Sequence, residues 1–222
     1  MVKLFSIIRL SLLINNLSKK PEDTSRVFAI VDFLISRYPK KSIDKAELTL
    51  RSNPNFVQFY ERYKDDEILT NTISLAHLQT LNTNTFGYRF AEFMYKNELS
   101  TSFFTPTIED NLLKVVRNRL AKTHDIFHFL TNFGTSPENE FGLQAFYLGQ
   151  EPSMAAFCIM LAGFLRVIKS LSVKEIPTLM NAISKGYING TNSSSMLYII
   201  WEDLWELDYD EVIKSLNIHR FH

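Results

Sequence analysis

The chain has a single cysteine, Cys158, in 222 residues. One thiol excludes an intrachain disulfide framework, a thiolate zinc finger and a CxxC redox pair, so any metal site has to be built from histidine and carboxylate. An excess of either charge is missing too: 24 Lys plus Arg stand against 24 Asp plus Glu, and the isoelectric point is about 7.0. Nucleic-acid binders draw affinity from phosphate neutralisation by surplus cations, so nucleic acid is not an expected partner. Glycine and proline are scarce at seven each, about half their usual combined share of roughly 12%. Long apolar runs are also absent. The longest covers residues 154–165, well short of the ~20 residues that span a bilayer.

What remains is a helical pattern. Hydrophobic residues make up 45% of the chain, 18 of them Phe, while β-branched alternation is rare and Asn189-Gly190 is the one Asn-Gly pair. The fold class expected is all-α: a single-domain multi-helix bundle over residues 1–222 with an internal apolar pocket. Thr24 or Ser25 can cap a helix that stops before Pro39, and Asn53-Pro54 and Ser136-Pro137 place caps before first-turn prolines. Apolar positions Leu113, Val116, Leu120, Phe127 and Leu130 predict one long helix over 107–133, terminated by Gly134. Further helices are expected over 137–149, 152–170, 174–188, 194–206 and 209–216. Residues 1–15 contain Lys3 and Arg9 but no cleavage site. They read as an amphipathic helix on the core rather than a signal peptide, with membrane-surface contact as the alternative. Residues 154–165 are apolar on all sides and carry Ala155, Ala156, Ala162 and Gly163. They suit a central core helix that can also wall a lipid channel.

Ligand-type residues gather in HDIFHFLTNFGTSPENE, residues 124–140. His124 and His128 are spaced i, i+4, which puts both imidazoles on one helical face, a turn apart. Counting back by helical steps reaches Leu120, Val116 and Leu113, so the pair should continue a buried stripe. Asp125 is offset by about 100° and serves as a ligand if it reaches around, otherwise as a general base or supporting partner. Glu140 sits about one turn inside the next helix, where a five-residue connection can fold it back. Two imidazoles with one or two carboxylates suit a divalent metal, zinc first, with manganese or iron as alternatives; magnesium prefers more oxygen. The plainer alternative is a histidine pair satisfied inside a helical core. Glu202 and Glu206, also i, i+4, would share either a solvated acidic face or one turned to the metal.

HDxxH followed by eleven residues and a Glu resembles the signature of the coenzyme Q biosynthesis protein four family, helical proteins acting late in ubiquinone assembly. TFGYRFAEFMYKNELS (residues 85–100) is similar to its Gly-containing turn and aromatic helix. GYINGTNSSSMLYIIWEDLWELDYDEVIKSLNI (residues 186–218) is similar to its closing segment, with Trp205-Glu206 and a terminal Leu-Asn-Ile. The resemblance covers roughly residues 60–218. Asn139 stands where the family usually has Gly, and no Arg-rich presequence is visible, so the chain resembles a bacterial-type or otherwise unprocessed member. The resemblance implies a metal held by His124, Asp125, His128 and Glu140. It implies Asp125 and Glu140 as catalytic groups, and lyase action: removal of the C1 carboxylate from a polyprenylated hydroxybenzoate, with or without hydroxylation of that carbon. It further implies a polyprenyl or other isoprenoid lipid ligand, partner proteins of quinone biosynthesis, and a cytoplasmic, peripherally membrane-associated location. The oligomeric state is left open, with a homodimer through exposed Phe and Tyr as one option. Two alternatives stand beside this reading. One is a non-catalytic lipid-binding scaffold; the other is an HD-type phosphohydrolase, which would need His77 and Asp203 as further ligands. The zinc-protease pattern HExxH is poorly matched, since Asp125 is one methylene short of its Glu.

Overall fold

The computed structural model describes residues 2–63, 73–101 and 112–219. Among them the regular structure is helical, with a lone β-bridge between Thr85 and Asp208. The all-α expectation holds. The chain forms two compact units, each assembled from distant segments. The first holds the described residues of Met1–Pro39 and Phe133–Ser193, the second those of Lys40–Asn132 and Ser194–Arg220. Because neither is a continuous stretch, no linker composition marks them in the sequence.

The first unit comprises α1 (Val2–Lys19), α2 (Thr24–Ile35), α9 (Pro137–Gln150), α10 (Met154–Ser170), a 3-10 turn (Val173–Glu175) and α11 (Ile176–Asn192). Asp23, rather than Thr24 or Ser25, caps α2 by accepting from the Ser25 N–H at 3.2 Å. Ser153 caps α10 by accepting from the Ala156 N–H. Ile14 and Leu17 of α1 pack with Ile30, Cys158 and Ala162. Residues 154–165 are not a fully buried core helix. The small residues Ala156, Cys158 and Ala162 face inward and let neighbouring helices approach, while Met154, Phe157 and Leu161 are exposed. Between α9 and α11 the approach is backbone to backbone. A Cβ at Gly186 would run into the Gly142 carbonyl, and one at Gly190 into that of Phe146. The Gly-x-x-x-Gly spacing at 186–190 is the sequence signal for this contact.

The second unit comprises α3 (Lys40–Arg51), α4 (Pro54–Tyr63), α5 (Leu75–Leu78), α6 (Phe86–Lys96), α7 (Leu112–Lys122), α8 (His124–Thr131), a 3-10 turn (Trp201–Leu204) and α12 (Tyr209–Ser215). Asn53 caps α4 as expected, accepting from the Asn55 N–H at 3.0 Å. Phe56, Phe59, Tyr63 and Leu112 form one core cluster. An aromatic layer forms another: Phe86 and Phe90 stack on Trp205 at 5.4 and 5.5 Å, and Phe129 meets Phe86, Phe90 and Tyr209.

Two predicted helices differ. Residues 107–111 lie outside the described residues, and the remainder of 107–133 is two helices, α7 and α8, separated at Thr123 (φ −101°, ψ 8°). The buried Thr123 hydroxyl donates to the Arg119 carbonyl at 2.9 Å, one turn back. Asn132 in the left-handed region (φ 59°), not Gly134, ends α8. The helix expected over 194–206 is reduced to the 3-10 turn, because its backbone groups are engaged elsewhere: Ser194 N–H donates to Leu216, while the Trp205 and Leu207 carbonyls accept from Gly87 and Phe86. Glu202 and Glu206 therefore do not share a helical face.

Glu202 instead receives a bidentate pair from Arg119, Nη1 at 2.9 Å and Nη2 at 2.8 Å, together with the Tyr63 hydroxyl. Burial pushes the Glu202 carboxyl up, but hydrogen bonds and charge from Arg119, with Tyr63 adding, outweigh it and hold it below its ordinary 4.5. Burial raises the Tyr63 phenol far above its usual range.

Two predictions follow from this packing. Gly186→Ala should lower stability by about 1–3 kcal/mol, read as a lowered thermal midpoint, whereas Gly134→Ala, which meets only the flexible Asn139 amide, should change it little. Glu202→Gln should cost about 3 kcal/mol near neutrality because Arg119 loses its counter-charge. The folded pKa of Glu202 is depressed, so its contribution is complete above about 4.5 and is lost as pH falls through the lower folded value. Denaturant titrations of both proteins should therefore converge in acid.

Candidate metal centre

The eight-residue α8 carries three of the four predicted ligands. The break at Thr123 starts a new helix at His124, so the pair is not the continuation of an apolar stripe on α7. Val116 and Leu120 are only half-buried, while Arg117, Asn118, Arg119 and Thr123 are buried. Every residue from Asp125 to Thr131 is buried, His128 at 1% exposure, and His124 is half-buried.

The structure brings the two imidazoles together. Nε2 of His124 and Nε2 of His128 are 3.0 Å apart, with ring planes at 87° and centroids 4.6 Å apart. Two imidazole nitrogens at ~2.0–2.1 Å from one tetrahedral zinc would stand ~3.3 Å apart. The pair is close to that convergence, and its donor chemistry fits a borderline divalent ion. Asp125 is buried, one position round the helix from His124.

Glu140 lies in the first turn of α9, half-buried, with its N–H donating to the Ser136 carbonyl at 2.9 Å. Asn139, where a Gly was usual in the resembled family, bonds through its amide to the Ser136 hydroxyl at 3.0 Å and sits within the helix without breaking it. Glu138 and Glu140 both occupy this first turn, where anions are favoured.

Upstream on α7 lies a cluster that the sequence reading missed. Arg119 is 1% exposed, stands over the Tyr63 ring at 4.3 Å and pairs with Glu202; among the described residues its Nε finds no hydrogen-bond partner. A cation three residues after Val116, inside an otherwise apolar helical spacing, was the available signal. Burial, then the Arg119 charge, bring Lys122 down to about 8. Of the residues an HD phosphohydrolase would need, His77 is exposed on α5 and Asp203 faces Arg62 at 3.6 Å.

The profile described as coenzyme Q (ubiquinone) biosynthesis protein Coq4 matches residues 61–222. The mitochondrial ubiquinone biosynthesis protein coq4 of Aspergillus fumigatus is 28% identical over 156 residues, 69% of this chain and 53% of that protein. The Aedes aegypti COQ4 homolog is 28% identical over 158 residues, 68% of this chain and 55% of that protein. The chain thus spans about half the length of the curated relatives it matches. A crystal structure of a Nostoc punctiforme protein assigned to ubiquinone biosynthesis superposes with a TM-score of 0.75 over 95% of both chains. At 24% identity that likeness is one of fold. The profile covers well over half of the sequence, and the chain belongs to the coenzyme Q (ubiquinone) biosynthesis protein Coq4 family.

Proposed function

We propose that this chain is a ubiquinone biosynthesis protein that holds a divalent metal, zinc by preference, and removes the C1 carboxylate of a polyprenylated hydroxybenzoate at a membrane surface. The observation that carries the metal is the convergence of His124 and His128 at 3.0 Å on a buried helix. Its ligand set is assigned by donor type, the imidazoles of His124 and His128 with the carboxylate of Glu140. Asp125 completes it or acts beside it as a base. Bound metal would supply Lewis acidity towards the substrate carboxylate and adjacent oxygens. In the reaction the bond between C1 and its carboxylate breaks, carbon dioxide leaves, and C1 takes a proton. Asp125 is the group assigned to hold and return that proton, Glu140 would act through the metal it holds, and the burial of His128 would limit the access of water.

The polyprenyl tail needs an apolar lining. Phe157 and Leu161 on α10 are large, apolar and exposed, and suit that role. Other quinone-biosynthesis proteins would be the macromolecular partners. Among the described residues no helix is long and apolar enough to cross a membrane, so attachment would be peripheral.

Protein purified without chelator and reconstituted with zinc or manganese should carry close to one metal per chain by elemental analysis. His124→Ala with His128→Ala should abolish retention, and Glu140→Gln should weaken it by about tenfold or more. Metal-free wild type after reconstitution would overturn the metal-dependent reading. Incubation of the metal-loaded protein with a prenylated hydroxybenzoate should release carbon dioxide, and Asp125→Asn should slow release by about 100-fold or more. Tight lipid binding without turnover would instead favour the scaffold reading.

A further inference from the structure

The zero net charge of the chain conceals an uneven distribution. Lys3, Arg9, Lys19 and Lys20 are the only charged residues in positions 2–20, which leaves 20 cations against 24 acids in the rest. Helix α1 is thus purely cationic in a chain that is otherwise net acidic.

Its apolar residues are also unusually placed. Ile14 and Leu17 are buried and anchor α1 on its unit, and Lys169 clamps the same half through Asn15 and the Ser18 hydroxyl at 2.8 Å. At about 100° per residue, Phe5 lies diametrically opposite Ile14, with Leu12 and Ile8 within about 60° of Phe5 and Leu4 further round on the same side, about 100° from it. These four are 64%, 72%, 50% and 57% exposed in the order Leu4, Phe5, Ile8, Leu12. Lys19 projects from the same side by that geometry, and Arg9 flanks it. The Ile14 side holds the C-terminal half of α1 to its unit, while Ile7 on that side is exposed near the N-terminus; the opposite side offers large apolar side chains set among cations.

We propose that this outer face of α1 is a docking surface for anionic lipid, on which the helix lies in the plane of the interface with Leu4, Phe5, Ile8 and Leu12 among the acyl chains and its cations at the headgroups. Charge complementarity decides the occupant. A second copy would bring two cation-only helices face to face, whereas an anionic lipid surface matches both the apolar residues and the charge. The proposal deepens the membrane part of the reading above and rests on it, but it is tested by vesicle binding, which can fail while metal binding succeeds, and the reverse.

The experiment is co-sedimentation of the full chain with phosphatidylcholine vesicles and with vesicles that also contain phosphatidylglycerol. Wild type should bind the anionic vesicles, more weakly at high salt. Phe5→Asp with Ile8→Asp should weaken binding by about tenfold or more, and Lys19→Glu with Lys20→Glu should remove the preference for anionic vesicles. All these side chains are exposed, so the thermal midpoint and metal content should match wild type and show that folding is intact. Failure of wild type to bind anionic vesicles would overturn the proposal, as would unchanged binding by the variants. A dimer in light scattering that Phe5→Asp with Ile8→Asp converts to monomer, without vesicle binding by wild type, would assign the face to a second copy and overturn it equally.

Discussion

A buried guanidinium cannot stand without a counter-charge, and the second unit is arranged around meeting that demand at Arg119. Leaving such a cation unpaired costs about 3–5 kcal/mol, a large share of any domain's stability. Glu202 answers it from a segment more than eighty residues away, and both of its oxygens accept from Arg119. To deliver that carboxylate the chain adopts a 3-10 turn at Trp201–Leu204 rather than the amphipathic helix its pattern suggests. The same turn positions Trp201 against Phe127 of α8 and Phe86 of α6, and Trp205 against Phe86 and Phe90. The aromatic packing around α8, and hence the setting of the histidine pair, depends on an ion pair on α7.

Local rules made much of this legible in the sequence. Asn53-Pro54 and Ser136-Pro137 start helices where expected, and α9, α10 and α12 lie close to their predicted bounds, because capping and proline geometry act over a few residues. The i, i+4 placement of His124 and His128 also survives, since it needs only one helical turn. What failed needed partners that are distant in sequence. The break at Thr123 arises where a helix meets buried surroundings on every side, so periodicity across 107–133 ran through it. Residues 194–206 have a helical pattern, but Ser194 bonds to Leu216 and Trp205 to Gly87, with the adjoining Leu207 held by Phe86, and no local rule anticipates that competition. Arg119 is legible only as a charge at an apolar position of α7, and its partner Glu202 lies too far along the chain for local spacing to name.

The exposed apolar residues of the first unit have a related logic. Composition alone assigns a hydrophobic helix to the core, yet α1 and α10 pack through one side, Ile14 and Leu17 on the first and Ala156, Cys158, Met160 and Ala162 on the second, and turn other large apolar residues such as Phe5, Leu12, Phe157 and Leu161 outward. On α10 most of the inward positions go to the small residues Ala156, Cys158 and Ala162, which permit close helix approach, as the glycines between α9 and α11 do most completely. Large apolar residues then remain on the surface, where they carry a cost in water that only a lipid or protein contact removes.

Charge balance at the proposed centre assigns different roles to the two carboxylates. A divalent ion held by two neutral imidazoles and Glu140 alone keeps one positive charge, and in a buried setting that charge calls for an anion. A substrate carboxylate would meet this requirement, and Asp125 would then be free to handle the proton. If Asp125 also ligates, the centre is neutral before substrate arrives, attraction for a carboxylate is weaker, and proton transfer falls to another group. The donor set therefore separates reaction from storage: three ligands with Asp125 outside favour turnover of an anionic aromatic, and four favour a closed structural ion.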